Sequence, residues 1–232
     1  MKAIFAIASG LAFVVCSMSA SAATDNEKLK DRLEDSSSVI SEIMSAPDKG
    51  IPSSILAGAS CVVVIPSYKK AAFLVGAQYG QGVATCRTPR GWSAPVCVQL
   101  TGGSFGFQLG GQATDLILIA MNEQGLQDML KNKFKIGADA AASAGPVGRN
   151  AQAGTDWKLK AELLTYSRSR GLFAGINLDG TVLSQNQDDT KVLYGSSVPF
   201  ATILKGSEPT PPEAQPFVRT VAKYFVIAKD GN

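Results

Sequence analysis

No histidine occurs anywhere in the 232 residues. That removes the one side chain whose ordinary pKa lies near neutrality. With it go the commonest base of nucleophilic catalysis and the commonest zinc ligand. Charge is also sparse: Asp, Glu, Lys and Arg make up 18% of the chain and leave a net +3, or +2 once the single charge of Lys2 is removed with a leader. So weak a field does not gather nucleic acid. No apolar run has the length of a transmembrane helix, so membrane contact is expected to be peripheral. Asp139, Asp156, Asp188 and Asp189 lack the alternating spacing of a calcium loop, and Asp188-Asp189 reads as solvated surface. Thr101-Gly102-Gly103-Ser104 resembles a phosphate cradle, but no lysine follows it and the glycines run on into strand-like sequence. These absences predict a binding protein with no cofactor and no metal, not an enzyme; a serine–lysine hydrolase stays open at this point.

What is present begins with a leader. Lys2, the apolar run Ile4 to Val15 and the small residues Ala20-Ser21-Ala22 have the order of a secretory signal peptide, cut after Ala22 or after Ala23. Residues 23–232 then form one exported domain, periplasmic or secreted, with its core at about 51–195. Val15 stands before Cys16, where lipoprotein processing needs a small residue, which argues against a lipid anchor. Cys61, Cys86 and Cys97 remain after cleavage. In an oxidising compartment two are expected to pair. Cys86 and Cys97 flank the turn Thr88-Pro89-Arg90-Gly91 and could face each other across a hairpin; three unbridged buried thiols are the alternative.

Periodicity predicts an amphipathic helix over 24–46, with Leu29, Leu33, Ile40 and Met44 on one side and Thr24 and Glu27 as a capping box. Pro47 ends it, and Ser36-Ser37-Ser38 weakens its middle. A short turn capped by Ser53 follows. Strands are predicted over Cys61–Ile65, where Pro66 stops the run, and over Ala71–Tyr79, Gly82–Arg87, Trp92–Leu100, Phe105–Gln112 and Leu116–Met121. Next come a helix over Asn122–Asn132, strands over Ala138–Ala144 and Glu162–Arg168, and a hairpin about Asp179-Gly180. A short helix over Val198–Lys205, a proline linker at Glu208–Pro212 and a helix over Phe217–Ile227 close the chain.

The candidate binding groups are cationic. Arg149 follows the turn Gly145-Pro146-Val147-Gly148, where backbone amides and a guanidinium could hold an anion. Lys69-Lys70, Arg87 with Arg90, and Lys158 with Lys160 are further basic pairs at loop or strand ends, of the kind that is mostly solubilising charge. On the first helix Lys28, Lys30 and Arg32 alternate with Asp31, Glu34 and Asp35, a mixture that disfavours deep membrane insertion.

A set of short motifs recurs in order: Ile51-Pro52, Val64-Ile65-Pro66, Tyr79-Gly80-Gln81-Gly82, Trp92-Ser93-Ala94-Pro95 and Gly103-Ser104-Phe105-Gly106. Ala144-Gly145-Pro146-Val147-Gly148-Arg149, Tyr166-Ser167, Gly171-Leu172-Phe173-Ala174-Gly175 and Tyr194-Gly195 continue it. Together they resemble the SYLF domain, also called the Ysc84 actin-binding domain, in a bacterial exported form. The resemblance implies a lipid-binding module: eukaryotic members bind phosphoinositides, some bind actin, and an N-terminal amphipathic helix aids membrane attachment. An exported bacterial member would meet an anionic envelope phospholipid instead. Lys28, Leu29, Lys30, Arg32, Leu33 and Ile40 on the first helix, with Arg149, Lys158 and Lys160, are the expected lipid-binding residues. The expected fold is α+β, a strongly twisted, mainly antiparallel sheet curling towards a barrel, with N- and C-terminal helices packed on it. A protein partner in the envelope is the alternative to lipid.

Overall fold

The protein is described by a computed structural model over residues 4–45, 50–73, 75–105, 110–147, 162–169 and 172–226. Helices α1 (Ile4–Ser45) and α2 (Ser53–Gly58) precede strands β1 (Cys61–Phe73), β2 (Val75–Thr88), β3 (Gly91–Trp92), β4 (Val96–Phe105) and β5 (Gly110–Ala120). Then come α3 (Glu123–Met129), β6 (Lys133–Lys135), β7 (Ala142–Ala144), β8 (Leu163–Ser169), β9 (Leu172–Gly175) and β10 (Val182–Gln185). Helices α4 (Gln187–Tyr194), α5 (Phe200–Leu204) and α6 (Gln215–Tyr224) close the chain, with a 3-10 turn at Pro212–Ala214 before α6.

The strands form one sheet in the order β6-β10-β4-β2-β1-β5-β8-β7, with β3 added to β2 and β9 to β8. Pairing is antiparallel except between β7 and β8. Chain geometry forces this sheet to curl. From β9 to β10 the path through the sheet crosses six strand spacings, about 29 Å if flat at about 4.8 Å each. Yet only seven Cα steps separate Gly175 from Val182, a reach of about 25 Å at full extension. The two ends are therefore drawn together, and an isolated bridge from Ile136 to Ala140 lies where they approach. The expected α+β class and curling sheet are what the chain adopts.

Both faces of the central strands are buried, which explains why β1 reads as a continuous apolar run. Val63, Ile65, Val98, Leu100, Leu116 and Leu118 face one core with Phe134, Phe200 and Ile203. Val62, Val64, Val83, Ile117, Ile119 and Leu164 face a second core, closed by Leu33 and Ile40 of α1 and Phe217 and Val221 of α6. Arg87 ties the far end of α6 to the sheet. Its guanidinium lies 4.6 Å from the Trp92 ring centroid and donates to the Phe225 carbonyl at 2.9 Å and, through Nε, to that of Ala59 at 3.1 Å. It is a clamp rather than solubilising charge, and Arg90 likewise donates to the Gly206 carbonyl at 2.6 Å.

Several local expectations are corrected. In the full chain α1 begins at Ile4, so Thr24 lies within the helix and not at its start. The serines of its middle return their hydroxyls to the preceding turn, Ser36 to Arg32 O at 2.7 Å and Ser37 to Leu33 O at 2.9 Å, and the helix runs on through them. Ser53 makes no cap bond; Pro52 occupies the N-cap of α2. Pro66 does not end β1: the strand absorbs it in a bulge, where the registers to β2 and β5 both shift and Ser67 takes φ 54°. Ala71–Tyr79 is no single strand but the end of β1 and the start of β2, and the expected Phe105–Gln112 strand divides between β4 and β5. Of Ala138–Ala144 only the last three residues form a strand, with Ala140 in the isolated bridge to Ile136. The Asp179-Gly180 turn forms, with Gly180 at φ 83°, but it joins β9 and β10, which pair with different strands, so the predicted hairpin is absent.

The cysteine pairing is corrected as well. Cys86 is bonded to Cys61, and Cys97 is a buried free thiol. Register explains it. Cys61 stands directly opposite Cys86 across β1 and β2. Cys97 stands opposite Val83 across β2 and β4, which places it in the second core while Cys86 belongs to the first.

Candidate functional site

Beyond the bulge, β1 and β2 pass under the 28–35 stretch of α1, leaving a cleft of about 280 Å³. Lys28, Asp31, Arg32 and Asp35 line it from the helix, Ser67 and Lys69 from the bulge, and Tyr79 and Gln81 from β2. Gly82 allows this geometry: a Cβ there would overlap the Val64 carbonyl oxygen just before the bulge. Gly82→Ala is accordingly expected to destabilise the fold by about 1–3 kcal/mol, read as a lower midpoint in chemical denaturation; an unchanged midpoint would show that the bulge does not depend on this close approach.

Arg32 fastens the helix over the cleft. It pairs with Asp189, and its Nη2 donates to Gln81 Oε1 at 2.8 Å. Asp189 Oδ2 also accepts from Gln81 Nε2 at 3.3 Å and Asn186 Nδ2 at 2.5 Å. The Asn186 side chain in turn caps α4, accepting from the Asp189 amide at 3.1 Å. Asp189 is thus part of a half-buried network, not a solvated surface carboxylate. On the other flank Asp115 accepts from the Ser67 amide at 3.0 Å and from Arg168 Nε at 2.8 Å, and Arg168 also pairs with Glu42. Burial raises the Asp115 carboxyl above its usual range; the Ser67 N–H opposes this, and nearby Asp35 adds to it.

The residues expected to bind lipid fall into three groups. Leu29, Leu33 and Ile40 are 4%, 2% and 1% exposed and belong to the second core. As an apolar face offered to a membrane they are corrected: the sheet and α6 already occupy them. Lys28 and Lys30 are exposed and held only by loose pairs to Asp25 at 3.3 Å and Glu34 at 3.8 Å, while Arg32 is committed to Asp189. Arg149, Lys158 and Lys160 lie outside the described residues.

Sequence reasoning favours solubilising charge for Lys69 and treats Tyr79 only as part of a motif, yet both stand at the rim of the cleft. Tyr79 is 46% exposed, and among the described residues only Val226 is a comparably exposed large hydrophobic side chain. Neither Lys69 nor Lys70 makes an ion pair with a described residue. The Pro66-Ser67 interruption of an apolar strand was the signal that could have marked the place.

Two letter patterns of serine hydrolases also occur. Gly102-Gly103-Ser104-Phe105-Gly106 matches Gly-x-Ser-x-Gly, but a nucleophile elbow turns from strand to helix, whereas Ser104 lies within β4, paired to Gly76, and the next element is β5. Ser67-Tyr68-Lys69-Lys70 matches Ser-x-x-Lys, but that motif belongs with further elements, Ser-Asp-Asn and Lys-Thr-Gly, and neither tripeptide occurs in the chain.

Comparison with known proteins finds a family and relatives. The family profile described as "Ysc84: Las17-binding protein actin regulator" matches residues 101–224, from the end of β4 through α6. "SH3 domain-containing YSC84-like protein 1" of Rattus norvegicus is 34% identical over 171 residues, 73% of this chain and 50% of that protein. The Xenopus laevis protein of the same name is 36% identical over 172 residues, 73% and 51% respectively. "Protein YSC84" of Saccharomyces cerevisiae is 31% identical over 176 residues, 74% of this chain and 37% of its own length. The chain spans about half the length of the first two, and none of the three is named for a catalytic activity. By the profile match and these identities, the chain belongs to the Ysc84, or SYLF, family.

Proposed function

We propose that the protein binds anionic phospholipid headgroups reversibly at an envelope membrane surface and carries out no chemistry there. The observation that carries this reading is the cleft at the β1 bulge, where Lys28 and Lys69 stand exposed beside Tyr79 at the end of the sheet. A lysine near an anionic surface contributes about 1 kcal/mol, so a site of this size gives weak, salt-sensitive attachment with a free soluble population. Export after cleavage near Ala22 fits the same picture. Disulfides persist in oxidising compartments, and the bond between Cys61 and Cys86 supports that placement.

The test is co-sedimentation with vesicles of phosphatidylglycerol and phosphatidylethanolamine. Binding is expected to require phosphatidylglycerol and to fall as salt rises. Lys28→Glu with Lys69→Glu is expected to weaken it more than about tenfold. Arg32 is left out of that variant because its loss would release Asp189 and disturb the fold. The description "Las17-binding protein actin regulator" favours a second reading, attachment to a protein of the envelope. Indifference to both salt and anionic lipid would support that reading over the first.

A further inference from the structure

We propose that the cleft at the β1 bulge selects an ethanolamine phosphate headgroup, its phosphate towards Lys28 and Lys69 and its ammonium towards Asp31 and Asp35, and so prefers phosphatidylethanolamine among the lipids of an anionic surface. This rests on the headgroup reading above and names the headgroup the cleft takes. Three observations carry it.

The first is the sign of the charges left uncommitted. Lys28, Asp31, Arg32 and Asp35 line the cleft from α1, and Lys69 lines it from β1. Arg32 is committed to Asp189 and Gln81. Lys28 has only its loose pair with Asp25, at 3.3 Å between exposed side chains, and a pair of that kind holds weakly enough to yield to another anion. Asp31, Asp35 and Lys69 make no ion pair with a described residue. Two carboxylates therefore stand beside two ammonium groups. A ligand with negative charge alone gains from the lysines and loses comparably to the aspartates, whereas a zwitterion gains from both.

The second is placement along the helix. Lys28, Asp31 and Asp35 recur at helical spacing on one side of α1, and the rise from Lys28 to Asp35 is about 10 Å. Arg32 reaches Gln81 of β2, while Asp35 lies near Asp115 of β5. The helix thus crosses the strands, with the acidic end of its row towards β5. There burial raises the carboxyl of Asp115 and the nearness of Asp35 adds to it. Asp115 has Arg168 and the Ser67 amide as partners, which leaves Asp31 and Asp35 to a positive group from outside. Among the described residues no three acidic or cysteine side chains gather to hold a metal ion, so the cation that suits these aspartates is one the ligand brings.

The third is the kind of cation and its size. A quaternary ammonium is held by a cage of aromatic faces, and Tyr79 is the one ring among the lining residues. A primary ammonium has three N–H donors and needs acceptors, which the oxygens of two aspartates supply. The exposed Tyr79 ring then adds a face for the same charge. The volume of about 280 Å³ lies just under the usual range of small-molecule sites. It takes a headgroup and leaves the acyl chains outside, in the bilayer.

The experiment uses the full chain and two sets of vesicles with the same fraction of phosphatidylglycerol, the remainder being phosphatidylethanolamine in one set and phosphatidylcholine in the other. Co-sedimentation is expected to be about fivefold tighter with phosphatidylethanolamine. Asp31→Asn with Asp35→Asn is expected to lose that preference while still binding phosphatidylglycerol. Equal binding of the parent to both sets overturns the inference. So does a preference kept by the folded asparagine variant, because it then belongs to the packing of the bilayer and not to the cleft. Circular dichroism checks that the variant is folded. In case it is not, competition decides alone: O-phosphoethanolamine is expected to displace the parent from vesicles at lower concentration than phosphocholine, and equal or reversed potency overturns the inference. Titration of O-phosphoethanolamine without vesicles separates the two sources of this chemistry. Affinity equal to that for vesicles would assign the cleft to a free phosphate ester and overturn the lipid; much weaker affinity supports it. After any failure of the preference the headgroup reading stands if the parent binds phosphatidylglycerol vesicles in low salt. A parent that does not bind them overturns both.

Discussion

Replacing either Cys61 or Cys86 by serine is expected to cost about 3–4 kcal/mol of stability and to remove all sensitivity to reductant. The bond closes a loop of 25 residues in sequence separation, for which loop-closure entropy alone predicts about 3.5 kcal/mol. It also joins the two strands from which the rest of the sheet extends, β4 on one side and β5 on the other. Small domains have only about 5–15 kcal/mol to lose, so the variants should melt far below the parent. Cys97→Ser separates this pairing from the hairpin alternative. Burial, reinforced by Asp189, pushes the Cys97 thiol up to about 12. It is therefore protonated at neutral pH and a poor partner for exchange. Thermal melts with and without dithiothreitol are the measurement. The parent and Cys97→Ser should both lose stability on reduction, and Cys61→Ser should not respond. If Cys97→Ser is the variant that stops responding, the pairing register of β1, β2 and β4 is wrong.

The same strands show what could be read from the residues and what could not. The apolar spacing of Leu29, Leu33 and Ile40 was enough to place the second half of α1, because helical period and burial agree there, but not its start at Ile4. The buried run Cys61–Ile65 was equally legible. The error at Pro66 came from treating proline as a stop, when a strand can pass through it by a bulge that leaves the missing N–H outside the ladder. The hairpin at Phe73 to Val75 carries no Gly-Asn or Asp-Gly signal, so nothing local separates two strands from one. Conversely, Asp179-Gly180 has the strongest turn chemistry in the chain, yet its flanking strands pair elsewhere because the curl of the sheet brings strand partners from far along the sequence. Cysteine partners depend on that same long-range register and could not be deduced from spacing. The cleft was half visible. Lys28 and the Tyr79-Gly80-Gln81-Gly82 motif both stand out in the sequence, but only the bulge brings them to one place.

Leu33→Ala and Ile40→Ala are each expected to destabilise the protein by about 2–5 kcal/mol while leaving vesicle binding of the folded molecules unchanged. Both side chains are almost wholly enclosed, and both contribute to the core that Val64, Ile117, Phe217 and Val221 complete. They are seven residues apart, about 10 Å along the helix, so their effects should add within a few tenths of a kcal/mol. The double variant would then lose most of the stability of an ordinary domain. Urea denaturation followed by circular dichroism gives the free energies, and co-sedimentation in low salt gives the binding. The contrast decides what α1 does. A helix that left the body to lie in the bilayer would present Leu33 and Ile40 to acyl chains, and truncating them would weaken vesicle binding more than it weakened the fold. A helix that stays in place, held by Arg32 to Asp189 and Gln81, uses those residues only for its own packing. It then contributes Lys28 to the rim of the cleft. Loss of binding at full native stability would reverse that division of labour.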